Sequence, residues 1–75
     1  MPIIIERIDN DYHFVARNDT GNEIQMDGSP AIGGHNLAAR PMQVLLMALG
    51  GCSGIDVVSI LRKGRQEIAE FSMEI

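Results

Sequence analysis

The sequence predicts an α+β fold: an antiparallel β-meander of about three strands, a long loop, one long buried central helix, then a further strand. Three observations predict it. Residues 1–26 hold short apolar runs separated by Asn/Asp-rich turns. Residues 40–65 hold most of the large apolar side chains in one stretch with helix start and stop signals. Residues 67–75 read as a strand, with apolar and polar residues alternating from Ala69 to Ile75.

The meander comes first. Ile3, Ile4 and Ile5 lead a β-branched run to Ile8, and Asp9-Asn10-Asp11 is turn chemistry. Tyr12, Phe14 and Ala16 alternate with His13, Val15 and Arg17, the period of a half-buried strand. Residues 18–22 (NDTGN) form a second turn, and Glu23-Ile24-Gln25-Met26 a short third strand. Such a hairpin stack is not stable alone in water. Residues 27–39 (DGSPAIGGHNLAA) read as a loop, with three glycines and a proline and no apolar run.

The central helix is predicted over residues 40–65, with the only cysteine, Cys52, near its middle. Pro41 suits the first helical turn, and Gly64 between Lys63 and Arg65 suits a stop. Apolar residues lie on nearly every side, so the helix is expected to be buried all round. Gly50, Gly51 and Gly54 together cost it about 3 kcal/mol relative to alanine. Gly50 and Gly54 share a face and leave a bare strip for close packing. The adjacent face presents Cys52 with Leu45, Ala48, Leu49, Ile55, Asp56 and Ser59. After Gly64, Ala69, Phe71, Met73 and Ile75 alternate with Glu70, Ser72 and Glu74, the pattern of the further strand.

Composition removes several functions. Six basic against ten acidic residues leave a net charge of −4, and only three residues are aromatic, so phosphate binding and base stacking are both disfavoured. The N-terminus lacks the apolar core of a signal peptide. One cysteine cannot form an internal disulfide, and with His13 and His35 it is too little for a structural zinc site, so no metal is expected. The unpaired thiol fits a reducing, cytoplasmic setting. At 75 residues a core is marginal without a staple, which leaves oligomerisation. A membrane span is the competing reading of residues 42–61, since the length suffices and Gly50-x-x-x-Gly54 is a helix-dimer pattern in lipid. Gln43, Ser53, Asp56 and Ser59 oppose it, and flanking strands have no use beside a lone span, so no membrane is expected.

The bland reading of Cys52 is a buried, inert small hydrophobe. Chemistry needs a thiolate and hence a nearby cation. Asp56, one turn on, opposes a thiolate, so the cation must come from Arg7, Arg17, Arg40 or a partner chain. His35 as a base for Cys52 has no identifiable orienting group, and as a glycine-flanked loop residue it reads as solvated.

The sequence Met26-Asp27-Gly28, then a Gly/Pro loop, then RPMQVLLMALGGCSGIDVVSILRKGRQ resembles the OsmC/Ohr family of organic hydroperoxide reductases, over about residues 23–75. The resemblance implies a single OsmC-like domain of which these residues are the N-terminal half. It implies a homodimer with intertwined strands and packed central helices, and no cofactor. It further implies that Cys52 is the peroxidatic cysteine and that the activating Arg belongs to the N-terminal hairpin, where Asp9-Asn10-Asp11 offers none; Arg17 and Arg7 are the candidates by proximity alone. A later cysteine, beyond this chain, would form a disulfide that a lipoyl-type dithiol reduces. Met42 stands where the reductases carry a Glu after the proline. Two other readings accompany this one: a non-enzymatic dimeric module that binds a small apolar ligand beside Cys52, and an inactive truncated chain.

Overall fold

The computed structural model describes residues 2–68 and 70–75. Strands β1 (Ile4–Arg7), β2 (Phe14–Arg17) and β3 (Glu23–Met26) form an antiparallel sheet in the order β1-β2-β3. A single turn of 3-10 helix, Pro30–Ile32, lies in the loop, and helix α1 runs from Pro41 to Lys63. The fold is α+β, as the sequence predicts. The chain forms two compact units, Met1–Val44 and Leu45–Ile75.

Turn chemistry fixes the meander. Asp9 Oδ1 accepts the N–H of Asp11 at 2.8 Å and of His13 at 3.2 Å, closing the β1–β2 turn. Asn18 Oδ1 accepts the N–H of Thr20 and of Asn22, and Gly21 supplies the left-handed residue at φ 88°. The register sets Glu6 opposite Val15 and Val15 opposite Gln25, with Ile5, Ala16 and Ile24 aligned on the other face. Alternation predicts a half-buried strand here and leaves open which face is sheltered. The sheet buries Val15, at 3% exposure the one buried apolar side chain among the described residues, while Phe14 and Ala16 are half-buried.

The loop is more ordered than its composition indicates. Met26 forms a parallel bridge with Ala39, and the Asp27 N–H donates to the Ala39 carbonyl at 3.0 Å, so the loop begins and ends at the same point of the β3 edge. Gly28 and Gly34 touch through their backbones, and a Cβ on Gly34 would overlap the Gly28 carbonyl.

Helix α1 starts as predicted. Pro41 is its first residue, and the Gln43 side chain reaches back to accept the Arg40 N–H at 3.1 Å. Its end differs in detail from the predicted Gly64 stop. Gln66 N–H donates to the Leu61 carbonyl and Arg65 N–H to the Arg62 carbonyl, a Schellman closure whose left-handed residue is Arg65, at φ 59°, one position beyond Gly64.

Within the single chain no residue of α1 is buried, and Ile55 and Ile60 keep 69% and 68% of their surface exposed, so the cover expected on all sides is not supplied by the described residues of this chain. By length and composition α1 is also sufficient to cross a membrane. The further strand is not formed either: Glu67, Ile68 and residues 70–75 have no regular secondary structure, and Ala69 lies outside the described residues. A strand needs a ladder partner for its N–H and C=O groups, and alternation alone supplies none. The alternation still has a consequence. Phe71, Met73 and Ile75 lean over the helix at Gly54 and Gly50.

Candidate functional site

Cys52 lies near the middle of α1, a helix about 35 Å long at roughly 1.5 Å per residue. The thiol is exposed. One turn away in either direction stand Ala48, Leu49, Ile55 and Asp56, also exposed. The thiol thus sits on an apolar, open helix surface with a single acid beside it.

The neighbouring glycine strip is approached by the chain's own C-terminal segment. A Cβ on Gly50 would lie 3.0 Å from Ile75 Cδ1 and 3.5 Å from Met73 Sδ, and one on Gly54 would lie 3.6 Å from Phe71 Cε1. Gly51, between them, faces open space. An open groove of about 560 Å³ runs along this strip, lined by Gly51, Gly54, Ile55, Val58, Phe71 and Met73, with Arg62 at one end. Cys52 is not among its lining residues.

The arginines named as activating cations lie on the sheet. Arg17 Nη1 donates to Glu6 Oε1 at 3.0 Å and Arg17 Nε to Glu23 Oε2 at 2.9 Å, so this guanidinium bridges the two outer strands. Arg7 lies opposite Phe14 in the β1–β2 ladder. Arg40, just before the helix, donates from Nη1 to the Ala38 carbonyl and from Nη2 to Asn36 Oδ1, both at 3.0 Å. It therefore braces the end of the loop.

Asp27 is the group that sequence reasoning passed over. Its side chain is 1% exposed. The carboxylate accepts the N–H groups of Gly28 at 2.7 Å, Leu37 at 3.1 Å and His35 at 3.2 Å. Burial pushes the carboxyl up, but the three donors outweigh burial and hold it below the ordinary carboxylate range. The available signal was an acid opening a glycine-rich loop, where backbone donors need an acceptor.

His35 is not merely solvated. Its Nε2 lies 2.6 Å from Asp11 Oδ2, and the polar atoms of Asp9, Asp11 and His35 come within 4.8 Å of one another. The Asp11 hydrogen bond raises the His35 pKa above its ordinary value, with lesser help from the charges of Asp11, Asp9 and Asp27. His13, buried at the foot of β2, bonds Gln25 Oε1 through Nε2 at 2.8 Å.

Comparison with known proteins identifies the region around Cys52. A model of the family described as "OsmC-like protein" matches residues 34–75, which include the loop tip, all of α1 and the segment after it. "Protein YhfA" of Escherichia coli (strain K12) is 44% identical over 62 residues, which are 83% of this chain and 43% of that protein. Proteins of the same name from Escherichia coli O157:H7 and Shigella flexneri match to the same extent. The chain thus spans less than half the length of these curated relatives.

Proposed function

The chain belongs to the OsmC-like protein family, and on that premise we propose that Cys52 is the peroxide-reacting thiol of an organic hydroperoxide reductase. The observation that carries this reading is that the family match covers the whole helix bearing Cys52, the one thiol of the sequence. An apolar helix surface around that thiol suits a bulky, apolar hydroperoxide.

The chemistry follows from the thiol. The Cys52 thiolate attacks the terminal peroxide oxygen, an S–O bond forms and the O–O bond breaks. The departing alkoxide takes a proton and leaves as an alcohol, and Cys52 becomes a sulfenic acid, the first step of thiol oxidation. Return to the thiol needs a second thiol and then a dithiol reductant, for which the lipoyl type is the family's class. The resolving cysteine would come from outside these residues.

A cation is needed to favour the thiolate. Arg17 is bound to two carboxylates, so its recruitment to Cys52 would require exchange of Glu6 or Glu23. Arg7 is the second candidate. The working unit in this reading is a homodimer in the cytoplasm, supported by the uncovered apolar surface of α1 and by the reducing conditions that a lone thiol needs. The groove beside Gly51 and Gly54 favours a second reading, in which the chain binds a small apolar ligand without turning it over.

The test is intact mass after a slight excess of cumene hydroperoxide in the presence of a sulfenic-acid trap. One adduct at Cys52, formed faster than on a free thiol and absent in Cys52→Ser, is the expected result. An intact, unlabelled thiol after peroxide treatment would overturn the enzymatic reading and leave the ligand-binding one.

A further inference from the structure

Loop 27–39 is tied down by two acids: buried Asp27 holds its backbone, and Asp11 holds the side chain of His35. Only the second tie includes a group that titrates near neutral pH. We propose that the His35–Asp11 ion pair is a proton-operated clasp, which closes the loop tip onto the β1–β2 turn and releases it as pH rises.

The pair joins residues 24 positions apart, at 2.6 Å between Nε2 and Oδ2, so it exists only when the loop tip is folded back over the turn. The charged groups acting on the imidazole are three carboxylates: Asp11 and Asp9 from the turn, and Asp27 from the start of the loop. No cation opposes its protonation among the groups that act on it. His13, at the end of the same turn, acts on Asp9 and Asp27 and is bonded to Gln25 of β3. Protonated His35 is thus the counter-ion of an otherwise acidic corner.

The direction of the switch follows. The charged imidazole is the form that the corner stabilises, so the clasp is closed while His35 is protonated. It opens as pH rises through a value above the ordinary 6.5 of histidine. Asp27 stays ionised throughout this range and continues to hold the N–H groups of His35 and Leu37. Opening therefore loosens the tip without unfolding the loop. The loosening is transmitted chemically along the chain, because Asn36, next to His35, accepts from the Arg40 guanidinium, and the Arg40 N–H is held by Gln43 in the first turn of α1. All of these residues belong to the same compact unit.

An NMR titration of the chain between mildly acidic and mildly alkaline pH tests the clasp, following the His35 ring protons and the amide signals of residues 33–37 together. The expected result is one midpoint, above 6.5, shared by ring and amides. Amide exchange at Gly34, whose N–H donates to the Ser29 carbonyl and not to Asp27, should, after correction for intrinsic base catalysis, be faster by about threefold above that midpoint, the modest scale of an exposed pair. Asp11→Asn should bring the ring midpoint down and uncouple the amides from it. His35→Gln should show, at every pH, the amide pattern of the alkaline wild-type chain. A wild-type midpoint at or below 6.5, loop amides indifferent to the ring's titration, or an Asp11→Asn variant that behaves as wild type would each overturn the proposal.

Discussion

At the scale of single residues, Asp27 has the largest structural role for its size. One carboxylate satisfies three backbone donors of a loop whose irregular path offers them no ladder, and it does so while shielded from water. Its folded pKa is depressed, so the sign of the linkage is fixed: the stability it contributes is present above the unfolded value and lost as pH falls through the folded one. Acidification below about 4, the ordinary carboxylate range, should therefore release the loop before the sheet. The amides of Gly28, His35 and Leu37 should lose exchange protection first in an acid titration. Asp27→Asn should show the same loss at neutral pH, because an amide offers one acceptor oxygen and no charge. Retention of protection at those three amides in the variant would show that the loop's own backbone contacts suffice.

At the scale of elements, α1 separates glycines that serve packing from one that does not. A Cβ on Gly51 meets nothing within 4 Å, whereas Gly50 lies under Ile75 and Met73. Gly51→Ala should then raise helix stability by about 1 kcal/mol, read as a higher melting midpoint by circular dichroism. A loss of stability would mean that this face is covered in solution. The helix end offers a second test. Arg65 occupies a left-handed position that costs a side-chain-bearing residue about 1 kcal/mol, so Arg65→Gly should recover that amount and leave the helix boundary in place. An unchanged or lower midpoint would exclude that cost. These elements also show what was legible in advance. Turns built on Asp9 and Asn18 are local chemistry between residues two to four apart, so their composition announced them. Helix α1 was legible from Pro41 and its apolar run. The His35–Asp11 pair was not, because 24 intervening residues carry no local signal of it. Nor was the buried side of β2: alternation gives two faces, but what lies above each decides that Val15 is covered and Phe14 is only half so. The C-terminal alternation was real as side-chain placement over Gly50 and Gly54 and misleading as strand pairing, since pattern names a face and not a partner.

At the scale of the whole molecule, the imbalance is between apolar surface and the means to bury it. A single apolar side chain is buried among the described residues, while Leu45, Met47, Leu49, Ile55 and Ile60 on α1 and Ile4 and Ile5 on the edge strand β1 are all exposed. Burial is worth about 25 cal/mol per Å² of apolar surface, and a chain this small needs most of what it has. An exposed strand edge and a contiguous apolar helix are both surfaces that associate. A second copy can supply cover to both at once, and with a net charge of only −4 repulsion is a weak obstacle. Sedimentation should accordingly show concentration-dependent association, and helical circular dichroism should fall on dilution in step with dissociation. Ile55→Glu places a charge on the open face of α1 at a site that is 69% exposed in the single chain, so it costs the monomer little. It should abolish association if α1 is the interface and leave it intact if only β1 is used. A wild-type chain that sediments as a folded monomer on dilution, with its helical signal undiminished, would show that the helix needs no partner, and would remove the dimer from the proposed function while leaving the chemistry of Cys52 to be judged by its own test.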